Sequence, residues 1–301
     1  MRLTAGPLTA VFTPALGMTG VSLCYRGGEY LALPGGLDRL RAGHSGGLPL
    51  LAPWANRLSA WRYRAAGRTV DLAGLPLHVD DNGLPIHGLL LGRSSWSVED
   101  VRVVRGTARL RASTVVDAPA FPFAHRIEVA VTAGETALRI DTSVVPTARR
   151  AVPISFGWHP YLRLPGDEPR SRWRLRLPAR RRLITDGLGI PNGAVEREPA
   201  ENRSIGRRTL DAGYALSRSR RLAIESDGGR SVEVACGSGY SFAQVWVPPR
   251  RPFVALEPMT APTNALVTGE HLSVTEPFTA SFALVFDGSP SAPEVPVDNG
   301  D

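Results

Sequence analysis

Glycine and proline are spread along the whole chain and cut it into short segments, which leaves no room for long helices. The 301 residues include 31 glycines and 26 prolines. Residues 126–131 alternate polar and apolar side chains with period two, as a half-buried strand does. Similar short runs rich in Val, Leu, Thr and aromatic residues occupy residues 101–104, 108–116, 125–131, 137–145, 222–226, 231–235, 242–247, 253–256 and 279–286. Many short strands separated by turn residues predict an all-β sandwich or barrel.

The composition fits one large domain. All-β folds commonly exceed 200 residues as a single unit, and 43% hydrophobic residues with 21% charge favour a packed core over disorder. We predict at most a short turn of helix at residues 36–41. No repeat or linker divides the body of the chain, whereas its last residues are proline-rich and acidic. We therefore predict a β-sandwich domain over residues 1–287 and a flexible tail over residues 288–301.

The sequence has no feature that predicts a secreted or membrane-bound protein. No apolar run approaches the roughly 18 residues that span a bilayer, and proline and glycine interrupt the N-terminal segment where a signal peptide would lie. The two cysteines, Cys24 and Cys236, are far apart and lack the spacing of metal ligands. We expect reduced thiols, no metal site and a cytoplasmic location.

All 35 basic residues are arginines, and the formal net charge is +7. Without lysine there can be no lysine Schiff base, pyridoxal-phosphate anchor, Walker lysine or kinase lysine. The densest basic stretch, residues 170–182, alternates Arg172, Arg174 and Arg176 with apolar residues. That pattern is typical of a solvated sheet face, so we expect no nucleic-acid partner.

Three ionisable residues each follow an apolar run and precede a residue that interrupts strand pairing. His87 precedes a glycine, and His159 and Glu257 each precede a proline. Such positions place a polar side chain at the rim of a sheet, where a cleft can form. For each histidine alone, a hydrogen-bonded structural role is the alternative; Glu257 could instead pair with an arginine such as Arg57.

Arg57 stands beside Asn56 in an otherwise apolar segment. A guanidinium in such surroundings requires a planar acceptor, either a carboxylate or a set of sugar hydroxyls. Flat apolar faces on which a sugar ring could stack are offered by Trp54, Trp61, Trp158 and Trp246.

Taken together, these segments resemble the aldose 1-epimerase, or galactose mutarotase, family. The resemblance extends from about residue 50 to residue 270 and follows the family's order. It rests on Pro53-Trp-Ala-Asn-Arg-Leu58, Trp61-Arg-Tyr63, Ile86-His-Gly-Leu89, Gly157-Trp-His-Pro-Tyr-Leu162, Leu256-Glu-Pro-Met-Thr-Ala-Pro-Thr-Asn264 and, more weakly, Thr209-Leu-Asp-Ala-Gly-Tyr214. The resemblance implies a large antiparallel β-supersandwich, in agreement with the strand pattern.

The resemblance also implies roles for individual residues. His159 would protonate the ring oxygen of a sugar, Glu257 would take the proton of the anomeric hydroxyl, and His87 would assist near the ring oxygen. Sugar hydroxyls would be held by Asn56, Arg57 and Asp211. A carboxylate is ready as a base at neutral pH, and we expect a neighbouring carboxylate to raise the pKa of His159 and keep it protonated. No cofactor is required, and a monomer is the default.

The sequence departs from the family's usual pattern at Arg163 and around Asp211, where Tyr214 and Ala215 follow. These departures leave the identity of the sugar open. Two alternative functions on the same fold remain open. The first is a hexose-phosphate epimerase, which would need a cationic pocket that this arginine-rich chain could supply. The second is a sugar-binding protein without activity, which would not need an acid–base pair.

A hydrolase is a third alternative, because residues 43–47 match the Gly-x-Ser-x-Gly pattern around Ser45. That motif requires a strand before the serine and a helix after it, and the flanking glycines and prolines disfavour both.

Overall fold

A computed structural model describes residues 1–92 and 96–286 of the chain. Its strands, in chain order, are β1 (Arg2–Ala5), β2 (Leu8–Thr13), β3 (Thr19–Tyr25), β4 (Gly28–Glu29), β5 (Leu50–Leu51), β6 (Arg62–Ala65), β7 (Arg68–Asp71), β8 (Ser97–Val104), β9 (Thr107–Ala118), β10 (Phe121–Ala133), β11 (Ala137–Pro146), β12 (Val152–Ile154), β13 (Gly157–Trp158), β14 (Tyr161–Leu162), β15 (Arg174–Leu177), β16 (Arg180–Thr185), β17 (Pro191–Glu198), β18 (Glu201–Ser204), β19 (Leu210–Leu216), β20 (Arg221–Glu225), β21 (Ser231–Cys236), β22 (Phe242–Val247), β23 (Val254–Met259), β24 (Leu272–Val274) and β25 (Phe278–Phe286). The helices are α1 (Gly36–Arg41) and α2 (Ala265–Thr268), with 3₁₀ turns at Pro14–Leu16 and Arg170–Arg172.

Two large antiparallel sheets form the body of the fold. The nine-stranded sheet has the order β18-β15-β20-β21-β25-β11-β10-β9-β8. The eight-stranded sheet has the order β17-β16-β19-β22-β23-β13-β5, with β14 also paired to β23. A four-stranded sheet, β1-β2-β3-β4, and the pairs β12-β24 and β6-β7 complete the architecture. The predicted all-β, single-domain supersandwich is confirmed.

Each apolar run singled out in the sequence lies largely within a strand, and the short helix falls on the expected residues. In β10 every second side chain from Phe121 to Ala133 is buried, as its alternating sequence predicts. The arginines of β15 also alternate with buried residues, and Arg176 pairs with Glu225 and Glu233 on the solvated face. The predicted tail, residues 288–301, lies outside the described residues, so the boundary at residue 287 stays a prediction.

Trp158 joins the two large sheets. It belongs to β13 of the eight-stranded sheet and is fully buried, and its ring centroid lies 6.0 Å from that of Phe282 in β25. Its indole Nε1–H donates a 3.0 Å hydrogen bond to Thr142 Oγ1 in β11. The residue before the catalytic candidate His159 is therefore anchored in the core between the sheets.

The eight-stranded sheet has one apolar face and one face with polar side chains. In β22, Ala243, Val245 and Val247 enter the core, so the intervening Gln244 and Trp246 point to the other face. Gln244 is the cross-strand partner of Glu257 in β23, which places the two side chains on the same face.

Both cysteines are free, Cys236 buried and Cys24 partly buried. Within residues 1–92 and 96–286, no helix reaches the length and apolar character that crossing a membrane requires.

Candidate active site

Two loops at one end of the eight-stranded sheet hold Asn56, Arg57 and His87. The His87 amide donates a 3.1 Å hydrogen bond to the Asn56 carbonyl oxygen, and both residues have left-handed backbone, with φ of 65° and 57°. Gly88 follows with φ of 70°, and a Cβ there would lie 2.3 Å from the Ala52 carbonyl oxygen. Only glycine permits this close approach, which sets the position of His87 beside the strand end.

His159 and Glu257 form the centre of the site. His159 Nε2 lies 3.3 Å from Glu257 Oε1, and the residues are 5% and 2% exposed. His159 follows β13 and is held by its amide, which donates to the Pro49 carbonyl oxygen at 3.0 Å. Among the described residues Glu257 forms no ion pair with Arg57; its close contact is with the His159 imidazole.

Glu257 does not lie at the end of its strand, contrary to the expectation from the proline that follows it. β23 continues through Pro258 to Met259, and Ala243 of β22 remains opposite Pro258. The Pro258 carbonyl oxygen faces Gly157, so its nitrogen points to the same side, where β13 has only two residues. The missing N–H of proline therefore removes no hydrogen bond between β23 and β22. Nor does His87 end a strand, since it lies in a loop.

Aromatic rings enclose the His159 imidazole. Tyr161 stacks on it with centroids 4.3 Å apart and planes 16° apart. His87 and Trp246 meet it edge-on, with centroids at 5.6 and 5.8 Å. The Tyr161 hydroxyl in turn lies 2.5 Å from Ser45 Oγ.

Burial governs the protonation of these groups. Burial lowers the pKa of His159 to about 3. Burial also lowers the pKa of His87 well below its ordinary value, with further contributions from His159 and Arg57. Burial raises the pKa of Glu257 well above its ordinary value; the charge of Asp211 adds to this and that of Arg57 opposes it. The expectation of a raised His159 pKa is therefore wrong for the empty site, because desolvation of the buried imidazole dominates.

The His159–Glu257 pair can share one proton, because burial raises the pKa of Glu257 and lowers that of His159. That proton lies on the carboxyl in the neutral form of the pair and on the imidazole in the ionised form. Moving it between the two groups changes neither the number of bound protons nor the net charge.

Three buried polar atoms in and beside the His159–Glu257 pair have no hydrogen-bond partner among the described residues. They are Glu257 Oε2, His159 Nδ1 and His87 Nδ1. Buried polar atoms are rarely left unpaired, and each costs about 1–3 kcal/mol. Glu257, His159 and His87 together form a site that a polar ligand would complete.

Arg57 lies beside this pair with its guanidinium held on several sides. Nε donates to Asp80 Oδ2 at 2.7 Å, Nη1 donates to Asn56 Oδ1 at 3.2 Å, and Nη2 lies 3.6 Å from Asp211 Oδ2. Asp211 Oδ1 accepts a 2.5 Å hydrogen bond from Gln244 Nε2. The structure thus brings Asn56, Arg57 and Asp211 together, with the amide oxygen of Asn56 occupied by Arg57.

A small cleft opens beside Arg57. It is lined by Arg57, Leu183, Thr185, Gly189, Pro191, Asp211, Gly213, Gln244 and Thr263. A larger concavity covers the outer face of β8 to β11, far along the other sheet. Each carboxylate that lines it lies within 4.0 Å of an arginine, and it contains no histidine. The cleft beside Arg57 is therefore the candidate site.

Two of the four tryptophans considered as stacking faces for a sugar, Trp54 and Trp158, cannot take that role because they are fully buried in the core. Trp246 is partly exposed and contacts His159, and Trp61 is partly exposed beside the loops.

Ser45 is not a nucleophile elbow, since it follows α1 and precedes an irregular segment. Among the described residues, no three His, Cys, Asp or Glu side chains are grouped as metal ligands.

Sequence reasoning missed Asp80, Gln244 and Tyr161. Gln244 had a signal, since it is the one polar residue in the apolar run of β22. Tyr161 lies inside the segment 157–162 that resembles the family, but the resemblance implied no role for it. Asp80 lies in a turn-forming segment, and nothing in its local sequence indicates that it contacts Arg57.

Comparisons with known proteins identify the family and the fold. The sequence profile of the family described as aldose 1-epimerase matches residues 41–274. A galactose mutarotase-like protein from Clostridium acetobutylicum has a similar structure, with a TM-score of 0.84 and 19% identity over 95% of this chain and 94% of the other. A galactose 1-epimerase from Lactobacillus acidophilus has a TM-score of 0.76 and 13% identity over 94% and 92% of the two chains. An aldose epimerase homologue from C. elegans has a TM-score of 0.75 and 16% identity over 94% and 96%. The search of curated proteins found no match.

Proposed function

The chain belongs to the aldose 1-epimerase family, and from that premise we propose that it interconverts the α and β anomers of a free aldohexose. The observation that carries the proposal is the buried His159–Glu257 pair, 3.3 Å apart, beside unpartnered polar atoms. A cyclic hemiacetal opens when one group removes the proton of the C1 hydroxyl and another protonates the ring oxygen. An acid and a base in contact suit that reaction.

In the proposed mechanism, sugar binding moves the shared proton from Glu257 to His159. The C1 hydroxyl donates to the carboxylate and the imidazolium donates to the ring oxygen, so the ligand favours the charged form of each group. Glu257 then takes the hydroxyl proton while His159 protonates the ring oxygen. The C1–O bond to the ring oxygen breaks and an open-chain aldehyde forms.

The second half of the reaction reverses the roles. The aldehyde rotates about C1–C2, His159 takes the proton from the attacking hydroxyl, and Glu257 returns its proton to the carbonyl oxygen. The other anomer forms, and the pair again carries one proton. His87 would contact the substrate near the ring oxygen as a neutral imidazole, in keeping with its lowered pKa.

Charge in the cleft favours a free sugar over a phosphorylated one. Arg57 is the one cation among the described residues that line the cleft. Its guanidinium already meets Asp80 at 2.7 Å and Asp211 at 3.6 Å. A phosphate dianion would add negative charge where two carboxylates already face one cation. Arg57, Asn56 and Asp211, together with Gln244, would instead hold the hydroxyls of a neutral sugar.

The proposed enzyme is a cytoplasmic monomer that uses no cofactor and acts on a small diffusible sugar, with no part for nucleic acid or a membrane. A protein that only binds sugar would gain nothing from burying an acid and a base in contact, since each carries a desolvation cost.

Polarimetry of freshly dissolved α-glucose and α-galactose tests the proposal. The wild type is expected to accelerate mutarotation above the buffer rate, and His159→Ala and Glu257→Gln to lose that acceleration. Glu276→Gln, an exposed carboxylate on the loop before β25, is the matched control and is expected to keep it. No acceleration of either free sugar, with acceleration of glucose 6-phosphate, would overturn the choice of substrate. Full activity in Glu257→Gln would overturn the mechanism.

A further inference from the structure

Asp80 contacts Arg57 and is not one of the residues that line the cleft. Its side chain is 6% exposed, and its Oδ2 accepts the Arg57 Nε–H at 2.7 Å. Burial raises the pKa of Asp80, but hydrogen bonds from the Leu84 amide and from Arg57 outweigh burial and leave it below the ordinary value. The carboxylate is therefore ionised whenever a neutral-pH assay is run.

The other oxygen of Asp80 is fixed by its own loop. Oδ1 accepts the backbone N–H groups of Asn82 and Leu84, both at 2.9 Å. This arrangement ties the carboxylate to the backbone in an Asx turn, so it cannot rotate without breaking two hydrogen bonds. Oδ1 thus holds the turn, while Oδ2 accepts the short hydrogen bond from Arg57 and a longer one, 3.5 Å, from Asn82 Nδ2.

The guanidinium has few ways to move once Nε is bound. Nη1 donates to Asn56 Oδ1, and Gly189 of the β16–β17 turn lies against the same nitrogen, close enough that a Cβ there would be 3.4 Å away. Nη2 remains beside Asp211 at the cleft. Because the guanidinium is planar, fixing Nε and Nη1 sets the direction of the Nη2–H bonds as well.

We propose that Asp80 is a positioning residue that fixes the Arg57 guanidinium so that Nη2 presents its N–H bonds to a sugar hydroxyl. The proposal rests on the proposed function for the identity of the ligand. Asp80 itself does not touch the substrate; its effect passes through Arg57. A long arginine side chain otherwise loses rotamer freedom when it binds, and a pre-set orientation removes that cost.

The chain provides a matched control for a test. Asp186, in the turn between β16 and β17, makes the same two contacts: its Oδ1 accepts the N–H groups of Leu188 and Ile190 at 2.9 and 3.0 Å. Among the described residues its carboxylate has no ion pair with Arg57. Asp80→Asn keeps a carbonyl oxygen for the turn but places an amide NH₂ opposite the Arg57 Nε–H. Asp186→Asn makes the same chemical change in a turn of the same type.

The kinetic test measures KM and kcat for mutarotation in Asp80→Asn, Asp186→Asn, Arg57→Ala and the double variant Arg57→Ala/Asp80→Asn. Asp80→Asn is expected to raise KM roughly tenfold, the effect of one lost charge-assisted hydrogen bond, with kcat within about twofold. Asp186→Asn is expected to match the wild type. In the Arg57→Ala background, Asp80→Asn is expected to add nothing further, because the effect passes through Arg57. Additive effects of the two substitutions would overturn the proposal.

A second readout separates this proposal from the proposed function. The ¹⁵N NMR signal of Arg57 Nε–H, identified by its loss in Arg57→Ala, is expected to be protected from exchange with water in the wild type and in Asp186→Asn. In Asp80→Asn it is expected to exchange rapidly. Equal protection in Asp80→Asn would overturn the positioning role whether or not the protein is an epimerase. A wild type without mutarotase activity, but with this NMR contrast, would refute the proposed function and leave the positioning of Arg57 established.

Discussion

Glu257→Gln is expected to stabilise the fold while it removes catalysis. The carboxyl is 2% exposed and burial raises its pKa, so the folded protein keeps this proton at a pH where the unfolded chain has lost it. An unperturbed glutamate ionises near pH 4.3. From that pH upward, release of the proton stabilises the unfolded state of the wild type but not the folded state. Glutamine is isosteric and does not titrate, so the variant does not lose stability in this way.

The size of the effect follows from proton linkage. Each pH unit between about 4.3 and the folded pKa of Glu257 lowers the stability of the wild type relative to the variant by about 1.4 kcal/mol. Because the pKa of Glu257 is raised in the folded state, the carboxyl contributes its full stability below pH 4.3. That stability is lost as the pH rises toward the folded pKa. With an unfolding entropy of about 2.1 cal/mol/K per residue, this corresponds to roughly 2 °C in Tm per pH unit for this chain.

Thermal unfolding followed by circular dichroism, at several pH values from 4.5 to 7.5, measures this difference. The histidines are present in both proteins, so the difference between the two curves isolates Glu257. The exposed-site control Glu276→Gln is expected to run parallel to the wild type. If the curves of Glu257→Gln and the wild type also run parallel over this range, the Glu257 carboxyl ionises normally in the fold and the reasoning about a shared buried proton fails.

Three further substitutions test the scaffold and the alternatives. Trp158→Phe is expected to lower the free energy of unfolding by about 2–3 kcal/mol in urea titrations, since it removes the hydrogen bond to Thr142 and leaves a cavity between the sheets. Gly88→Ala is expected to destabilise the fold by 2 kcal/mol or more, roughly, and to reduce activity, because its Cβ would collide with the Ala52 carbonyl. Ser45→Ala is expected to keep mutarotation within about threefold; a complete loss together with an esterase activity of the wild type would favour a hydrolase.

Much of the fold follows from local sequence pattern. The period-two alternation of residues 126–131 places β10, and the apolar run at 242–247 coincides with β22. A half-buried strand must alternate, so these patterns have few other solutions. The order of strands in the two sheets is set by contacts between residues far apart in sequence, which a local pattern does not contain. Trp158, whose ring links β13 to β25, is an example.

The sequence predicted the types of residue at the site better than their protonation states. Of the six candidate residues, Arg57 and Asp211 line the cleft, and Asn56 is hydrogen-bonded to Arg57. His159 contacts Glu257 and His87. The roles of all six stay predictions. The pKa of His159, however, depends on how deeply the surrounding rings bury the imidazole, and a sequence motif does not predict that burial. Asp80 was missed for a related reason: its contact with Arg57 joins two loops 23 residues apart, and its own segment looks like an ordinary turn.

The His159–Glu257 pair is proposed to interconvert sugar anomers. Two-dimensional exchange NMR of glucose or galactose at anomeric equilibrium measures that interconversion directly, without any coupled enzyme. We predict exchange peaks between the α and β anomeric protons that are strong with the wild type and fall to the buffer level with Glu257→Gln. Exchange no faster than in buffer with the wild type, or equal exchange with Glu257→Gln, would contradict the claim.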